Sequence, residues 1–349
     1  DGRRLRTGSR FGSRTRVTAA PALSSGLVEA TEPPEYRGIA RDAVKMLVTD
    51  RRSRTQSHAR FYDLPSLLRA GDLLVVNDSA TMPAALLARR PDGSAVPLHV
   101  STKIDARLWM VEPRAPVVAG EVLALPGGAT ATMLAAAERQ RPRLWYATFA
   151  LDAPMERYLA EFGAPITYAY LDRRFALANY QTLFARNPGS SEMPSAARPF
   201  TPRVVASLGD RGVELAAVTL HCGVASFEAP ERPGAERFLV PVETAARVNS
   251  ARRDGRRVIA VGTTVVRALE SVATKEGVIA SAGWTDLFID AAYRPRAVDA
   301  LLSGFHGPSA THLDMLRAFA DAELLESSYC EAGEHGYFYH EFGDVHLIL

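Results

Sequence analysis

Four short stretches hold side chains able to do chemistry at places where a fold can use them. "VTLHCG" sets His221 at the end of an apolar run, with Gly223 two residues on, where the missing side chain lets the backbone approach a ligand. A histidine there is a candidate acid or base because its ordinary pKa lies near neutrality; a hydrogen-bonded structural histidine is the competing reading. "VIAVGTTVVRALE" breaks from strand to helix at Gly262, Thr263 and Thr264, with Arg267 and Glu270 one turn further. Such a corner offers two hydroxyls and helix-start N–H groups to an anion, unless Thr264 is simply the helix cap. "LLSGFHGPSATHLDML" carries Phe305 and His306 in a loop of small residues and proline, with Ser309 or Thr311 placed to cap a helix beginning near His312. "GYFYHEFGDVHLIL" gathers Tyr337, Tyr339, His340 and Asp344 ahead of a short final strand, and an aromatic strand sealing the core competes with a functional role.

No Ser-His-Asp order, Walker loop, G-x-G-x-x-G fingerprint or metal-ligand spacing accompanies them, so no metal is expected. Cys222 and Cys330 stand far apart without a partner motif and read as ordinary thiols.

The elements that must position these residues follow from the apolar spacing. "VKMLVTD" and "DLLVVND" read as strands, the second ending in Asn77-Asp78, with "DLPSLLRAG" a short helix between them. From Thr81 to about Leu159, short β-type runs recur at intervals of roughly ten residues between Pro and Gly, the pattern of a small antiparallel barrel or sandwich. After residue 164 helix and strand alternate. "TPRVVASLGDRG" has Thr201 as N-cap and Pro202 at the first helical position, and it feeds "VELAAVTLH"; "PVETAARVNSARRDG" feeds "RRVIAVG". Strand–helix–strand units favour a largely parallel sheet with helices outside. The fold class is therefore α/β: a main domain of residues 36–80 and 165–349, a β-barrel domain inserted at 81–164, and a disordered or linker tail over 1–35.

Across 349 residues with a net charge of +2, the bulk composition is that of a soluble globular protein. No run approaches the roughly 18 apolar residues of a membrane span and no signal peptide stands at the start, so a cytoplasmic location without membrane partners is expected. The opening "DGRRLRTGSRFGSRTR" holds six arginines and reads as a disordered tail, or as an arm for RNA phosphates. Further basic clusters at 50–60 and 251–257 read as solvated surface.

Taken in order, "ARDAVKMLVTDRRSRTQSHARFYDL", "GDLLVVNDSATMPAAL", "NYQTLFARNPGSSEMPSAARPFT", "ELAAVTLHCGVASF", "RVIAVGTTVVRALES" and "YFYHEFGDVHLIL" resemble the S-adenosylmethionine:tRNA ribosyltransferase-isomerase family of queuosine biosynthesis over residues 36–349. The resemblance implies an α/β domain carrying an inserted barrel. It also implies S-adenosylmethionine as co-substrate: its ribosyl part moves onto 7-aminomethyl-7-deazaguanine in a tRNA anticodon and rearranges to an epoxycyclopentane, releasing adenine and methionine. The sulfonium acidifies the C5′ protons, so a base must act there, while adenine leaves more readily with a proton donor. His221 and His306 are the candidates for these two roles, unassigned between them. Gly262, Thr263 and Thr264, with Gly223, Arg267 and Phe305 nearby, are expected to hold the methionyl carboxylate or ribose; Asp344, Tyr337 and Tyr339 are expected to meet the sulfonium.

Departures from the family pattern fall where substrate contacts are expected. Pro199 in "SAARPFT" replaces a histidine, the His-x-Met-His stretch after the "TLH" motif is missing from "ERPGAERFLVP", the usual Gly-Ala-Gly-Thr-Phe becomes "GVASF", and Pro-Pro-Tyr becomes "YAY" at Tyr168–Tyr170. The late loop reads "SGFHGP" and the C-terminal motif "FYHEFGD" where the family has Arg-Phe-Phe-Ser-Tyr-Gly-Asp. Two alternatives follow: a paralogue that spends S-adenosylmethionine on a small-molecule transfer or cyclisation, and a non-catalytic nucleoside-binding protein.

Overall fold

A computed structural model describes residues 26–137, 143–224, 234–307 and 310–349. The arginine-rich opening and Ser309 lie outside the described residues.

The scaffold is a nine-stranded sheet, in the order Ser281–Thr285, Glu236–Val240, Glu214–Leu220, Leu73–Asn77, Val258–Val261, Ala300–Gly304, Val345–Ile348, Lys45–Asp50, Thr55–Arg60. The middle of it, from Glu214–Leu220 to Ala300–Gly304, is parallel. Its strands read as continuous apolar runs because both faces are covered. Leu73, Val75, Val258 and Ala260 enter one core, and their alternates Leu74, Val76, Ile259 and Val261 enter the other. The flanks correct the expectation of a largely parallel sheet. Lys45–Asp50 turns back on Thr55–Arg60, Ala300–Gly304 runs against Val345–Ile348, and Glu236–Val240 lies antiparallel to both its neighbours, so the sheet is mixed.

Thr201 accepts a hydrogen bond from the Val204 N–H at 3.3 Å with Pro202 in the first turn, as the sequence pattern requires. Between Thr81 and the helix Met155–Phe162, six strands close into an antiparallel barrel whose inward residues, among them Leu98, Trp109, Val111 and Phe149, form a separate core. Ser191 binds the barrel to the sheet by donating to the carbonyls of Val100 and Ser101 at 2.8 and 2.9 Å. A second tie runs from the Val224 N–H to Ser101 Oγ at 2.9 Å.

The internal basic clusters are largely spent on the chain's own acceptors. Arg54 pairs with Asp321 and Glu323, Arg256 with Glu214, Arg257 with Asp72, and Arg51 donates to the carbonyls of Asp299 and Leu349. Among the described residues no helix is long and apolar enough to cross a membrane.

Candidate active site

A cavity of about 1160 Å³ opens between the barrel and the carboxyl ends of the central parallel strands, where open α/β sheets collect ligands. Three strand ends build its floor: Cys222–Val224 follows Glu214–Leu220, Gly262–Thr264 follows Val258–Val261, and Gly304–Gly307 follows Ala300–Gly304. Barrel residues Ser101, Thr102, Met110, Arg143 and Tyr146 make the opposite wall.

Gly262 turns the chain from strand to helix at φ +96°, a conformation open to glycine, and the nine-residue helix Thr263–Ser271 starts there without a side-chain cap. The competing reading of Thr264 as the cap is thereby corrected. Its hydroxyl instead accepts from Asn77 Nδ2 at 3.2 Å, and the same amide donates to the Leu220 carbonyl at 2.8 Å. Asn77 thus fixes the corner against the neighbouring strand. Gly262, Thr263 and Thr264 all line the cavity, so a helix start and two hydroxyl residues meet there, an arrangement for a carboxylate or a sugar.

His306 lines the cavity. Its Nε2 shares a hydrogen bond of 3.0 Å with Ser303 Oγ, its ring stacks on His312 at 4.4 Å, and its backbone N–H donates to Tyr329 Oη at 3.3 Å. Burial, reinforced by His312 and His340, holds its pKa well below the usual imidazole value, and burial brings His312 down to about 4. Both rings are neutral at pH 7 and so able to accept a proton. Phe305 and Tyr339 also line the cavity, Tyr339 lying against Gly307.

The C-terminal segment adds a carboxyl to the cavity. Glu341 enters the cavity beside His340; Tyr170 Oη donates to its Oε2 at 3.1 Å, and Tyr170 stacks on His340 at 4.3 Å. Burial pushes the Glu341 carboxyl up to about 7, so at neutral pH much of it carries a proton. A second phenol–carboxylate pair, Tyr168 with Glu192, stands alongside, its ring stacked on Tyr170. Glu341 was detectable only as a departure from the family pattern inside an aromatic run, and nothing in the sequence marked Glu192.

Other expected site residues are engaged by the chain's own groups, two of them, Gly223 and Arg267, at the cavity wall. His221 does not line the cavity: its Nδ1 meets Ser79 Oγ at 2.8 Å, and Gly189 packs so closely on the ring that a Cβ there would come within 2.5 Å. Arg267 borders the cavity, but its guanidinium is ion-paired with Glu236 and donates to the carbonyls of Gly234, Thr285 and Leu287. The Gly223 N–H donates to the same Glu236 at 2.8 Å. Tyr337 lies outside the cavity lining, its hydroxyl bonded to His58 Nδ1 at 2.9 Å. Asp344 is buried and accepts from the backbone N–H groups of Lys45 and Phe338 at 2.7 and 2.8 Å, which leaves its carboxylate committed to the backbone rather than to a sulfonium. Asp344→Ala is expected to lower stability by about 1–3 kcal/mol, because two part-buried N–H groups lose their acceptor. Urea unfolding checks this; a variant as stable as the wild type would contradict the positioning role. Cys222 lines the cavity, but burial raises its thiol and keeps it from acting as a nucleophile.

A family model described as "Queuosine biosynthesis protein" matches residues 25–348. The S-adenosylmethionine:tRNA ribosyltransferase-isomerase of Moorella thermoacetica is 37% identical over 321 residues, spanning 88% of this chain and 94% of its own length. That of Thermus thermophilus is 37% identical over 339 residues, covering 91% and 97%. A crystal structure of the S-adenosylmethionine tRNA ribosyltransferase from Thermotoga maritima, 29% identical, aligns with a TM-score of 0.53 over 92% of this chain and 96% of that one.

Proposed function

We propose that this chain, which belongs to the queuosine biosynthesis protein family, is an S-adenosylmethionine:tRNA ribosyltransferase-isomerase. It transfers the ribosyl part of S-adenosylmethionine to 7-aminomethyl-7-deazaguanine in tRNA and rearranges it, giving epoxyqueuosine and releasing adenine and methionine. The observation that carries the reading is one enclosure holding an uncapped helix start, a neutral imidazole and a protonatable carboxyl, each matched to one demand of that reaction.

The helix start at Gly262–Thr264 receives the methionyl carboxylate. His306, neutral at pH 7, takes a C5′ proton made acidic by the adjacent sulfonium. Glu341, protonated in its recess, gives its proton to the departing adenine, whose anion is otherwise a poor leaving group. Groups whose environments push their pKa values in opposite directions mark the base and the acid. The ring of Tyr339, which lines the cavity, meets the sulfonium or stacks on the acceptor base. At about 1160 Å³ the cavity exceeds the roughly 300–1,000 Å³ of an ordinary small-molecule pocket, which suits a nucleoside co-substrate together with an extruded base.

Mass spectrometry after incubation with S-adenosylmethionine, with and without an anticodon stem-loop carrying 7-aminomethyl-7-deazaguanine, tests the reading. The expected result is adenine and methionine only with the RNA, alongside a matching mass gain on it. Release without RNA would favour the small-molecule alternative, and no release in either tube would favour a nucleoside-binding protein. Binding of the stem-loop should weaken steeply with salt, as phosphate contacts require.

A further inference from the structure

We propose that His58, Glu331 and His335 form a binding site for a divalent transition-metal ion of the zinc class, outside the cavity and independent of the reaction. Among the described residues they are the one His/Glu group whose ligand atoms all lie within 4.8 Å of one another. Glu331 and His335 sit one turn apart, at the end of the helix Ala322–Glu334 and at its C-cap, while His58 comes from the edge strand Thr55–Arg60. His58 Nε2 lies 2.9 Å from Glu331 Oε1, His335 Nδ1 lies 3.3 Å from the same oxygen, and the two rings are 4.2 Å apart.

Tetrahedral zinc with bonds of about 2.0–2.1 Å places neighbouring donors roughly 3.3 Å apart, so the ion needs only small side-chain shifts to enter. Two imidazoles and a carboxylate are a recurrent zinc set that leaves the fourth position to water. Without metal, His58 Nε2–H donates to Glu331 at 2.9 Å; when the ion enters, that proton moves to Nδ1, which then donates to Tyr337 Oη, orienting the ring and freeing the Nε2 lone pair, the support that metal-bound histidines characteristically receive. His335 Nδ1 exchanges its 2.9 Å bond with the Glu331 carbonyl for the metal, its proton moving to Nε2 in water. The nearby Lys45 ammonium is held by the carbonyls of His335 and Gly336 at 2.6 and 2.9 Å, and its charge tempers the affinity. A bound ion would add to the ties that Arg54 and Gln56 already make between the last long helix and the edge strand, at the start of the segment that brings Tyr339 and Glu341 to the cavity.

The test is equilibrium dialysis of the metal-stripped full chain against zinc, paired with the visible spectrum of the cobalt(II) form, for the wild type, His58→Ala, His335→Ala and the size-conserving Glu331→Gln. One equivalent of zinc, a four-coordinate cobalt spectrum, and at least a tenfold loss of affinity in each variant are expected. Thermal unfolding of the wild type should shift upward with zinc and that of the variants should not. No zinc bound by the wild type, or binding undiminished in all three variants, would overturn the assignment.

Discussion

Replacing His306 by alanine is expected to cut turnover by roughly a hundredfold or more, the usual size of an acid–base contribution, while S-adenosylmethionine binding stays within a few-fold of wild type. The ring lies at the carboxyl end of Ala300–Gly304, braced by Ser303 and His312, and burial keeps it neutral. Removing it leaves the loop backbone in place, because that backbone is held by the Tyr329 hydroxyl rather than by the imidazole. His221→Ala is the contrasting variant. Its imidazole serves Ser79 and packs under Gly189 outside the cavity lining, so its loss should appear in stability rather than in the chemical step. Turnover measurements giving the reverse order, with His306→Ala near wild type and His221→Ala crippled, would exchange the two assignments.

Glu341→Gln is expected to lower turnover by a similar factor through the other half of the reaction. Glutamine keeps the size and still accepts from Tyr170, but it has no proton to give to adenine. A substrate analogue with a better purine leaving group should recover most of the lost rate in Glu341→Gln and none of it in His306→Ala. Equal recovery in both, or in neither, would remove Glu341 from the role of acid. The carboxyl stands where the family motif has a serine, so this chain supplies by its own substitution a group the pattern does not contain.

Much of this architecture was legible in the chain. The both-face apolar runs at 73–77 and 258–261, the Thr201-Pro202 helix start and the ten-residue spacing of the barrel strands all follow from local rules, and each element formed where those rules put it. The mixed character of the sheet did not show, because the edge strand Thr55–Arg60 is mostly exposed and its polar sequence, TQSHAR, reads as surface loop. Spacing likewise concealed the His58–Glu331–His335 group, whose members meet only through tertiary packing. Within the candidate site, Gly223, Gly262–Thr264, Phe305, His306 and Tyr339 were found at the cavity. Arg267 was found there too, but bound to Glu236 and to carbonyls, and nothing in its sequence position tells a substrate arginine from a wall arginine. His221, Tyr337 and Asp344 carry the right chemistry and face the wrong way, since one residue of register or one hydrogen-bond partner decides which side of a strand end a side chain serves. Glu192 and Glu341 became visible as functional candidates only when burial was known, since burial is what raises Glu341.

The pH dependence of kcat/KM for S-adenosylmethionine, measured with saturating stem-loop in wild type and Glu341→Gln, tests the paired base and acid most directly. His306 must be neutral, and its lowered pKa puts the acid limb well below the usual imidazole range; Glu341 must be protonated, and its raised pKa makes the rate fall as pH climbs through about 7. The account predicts that alkaline limb in the wild type and its disappearance, at a lower plateau, in Glu341→Gln. A limb that persists unchanged in the variant would contradict it.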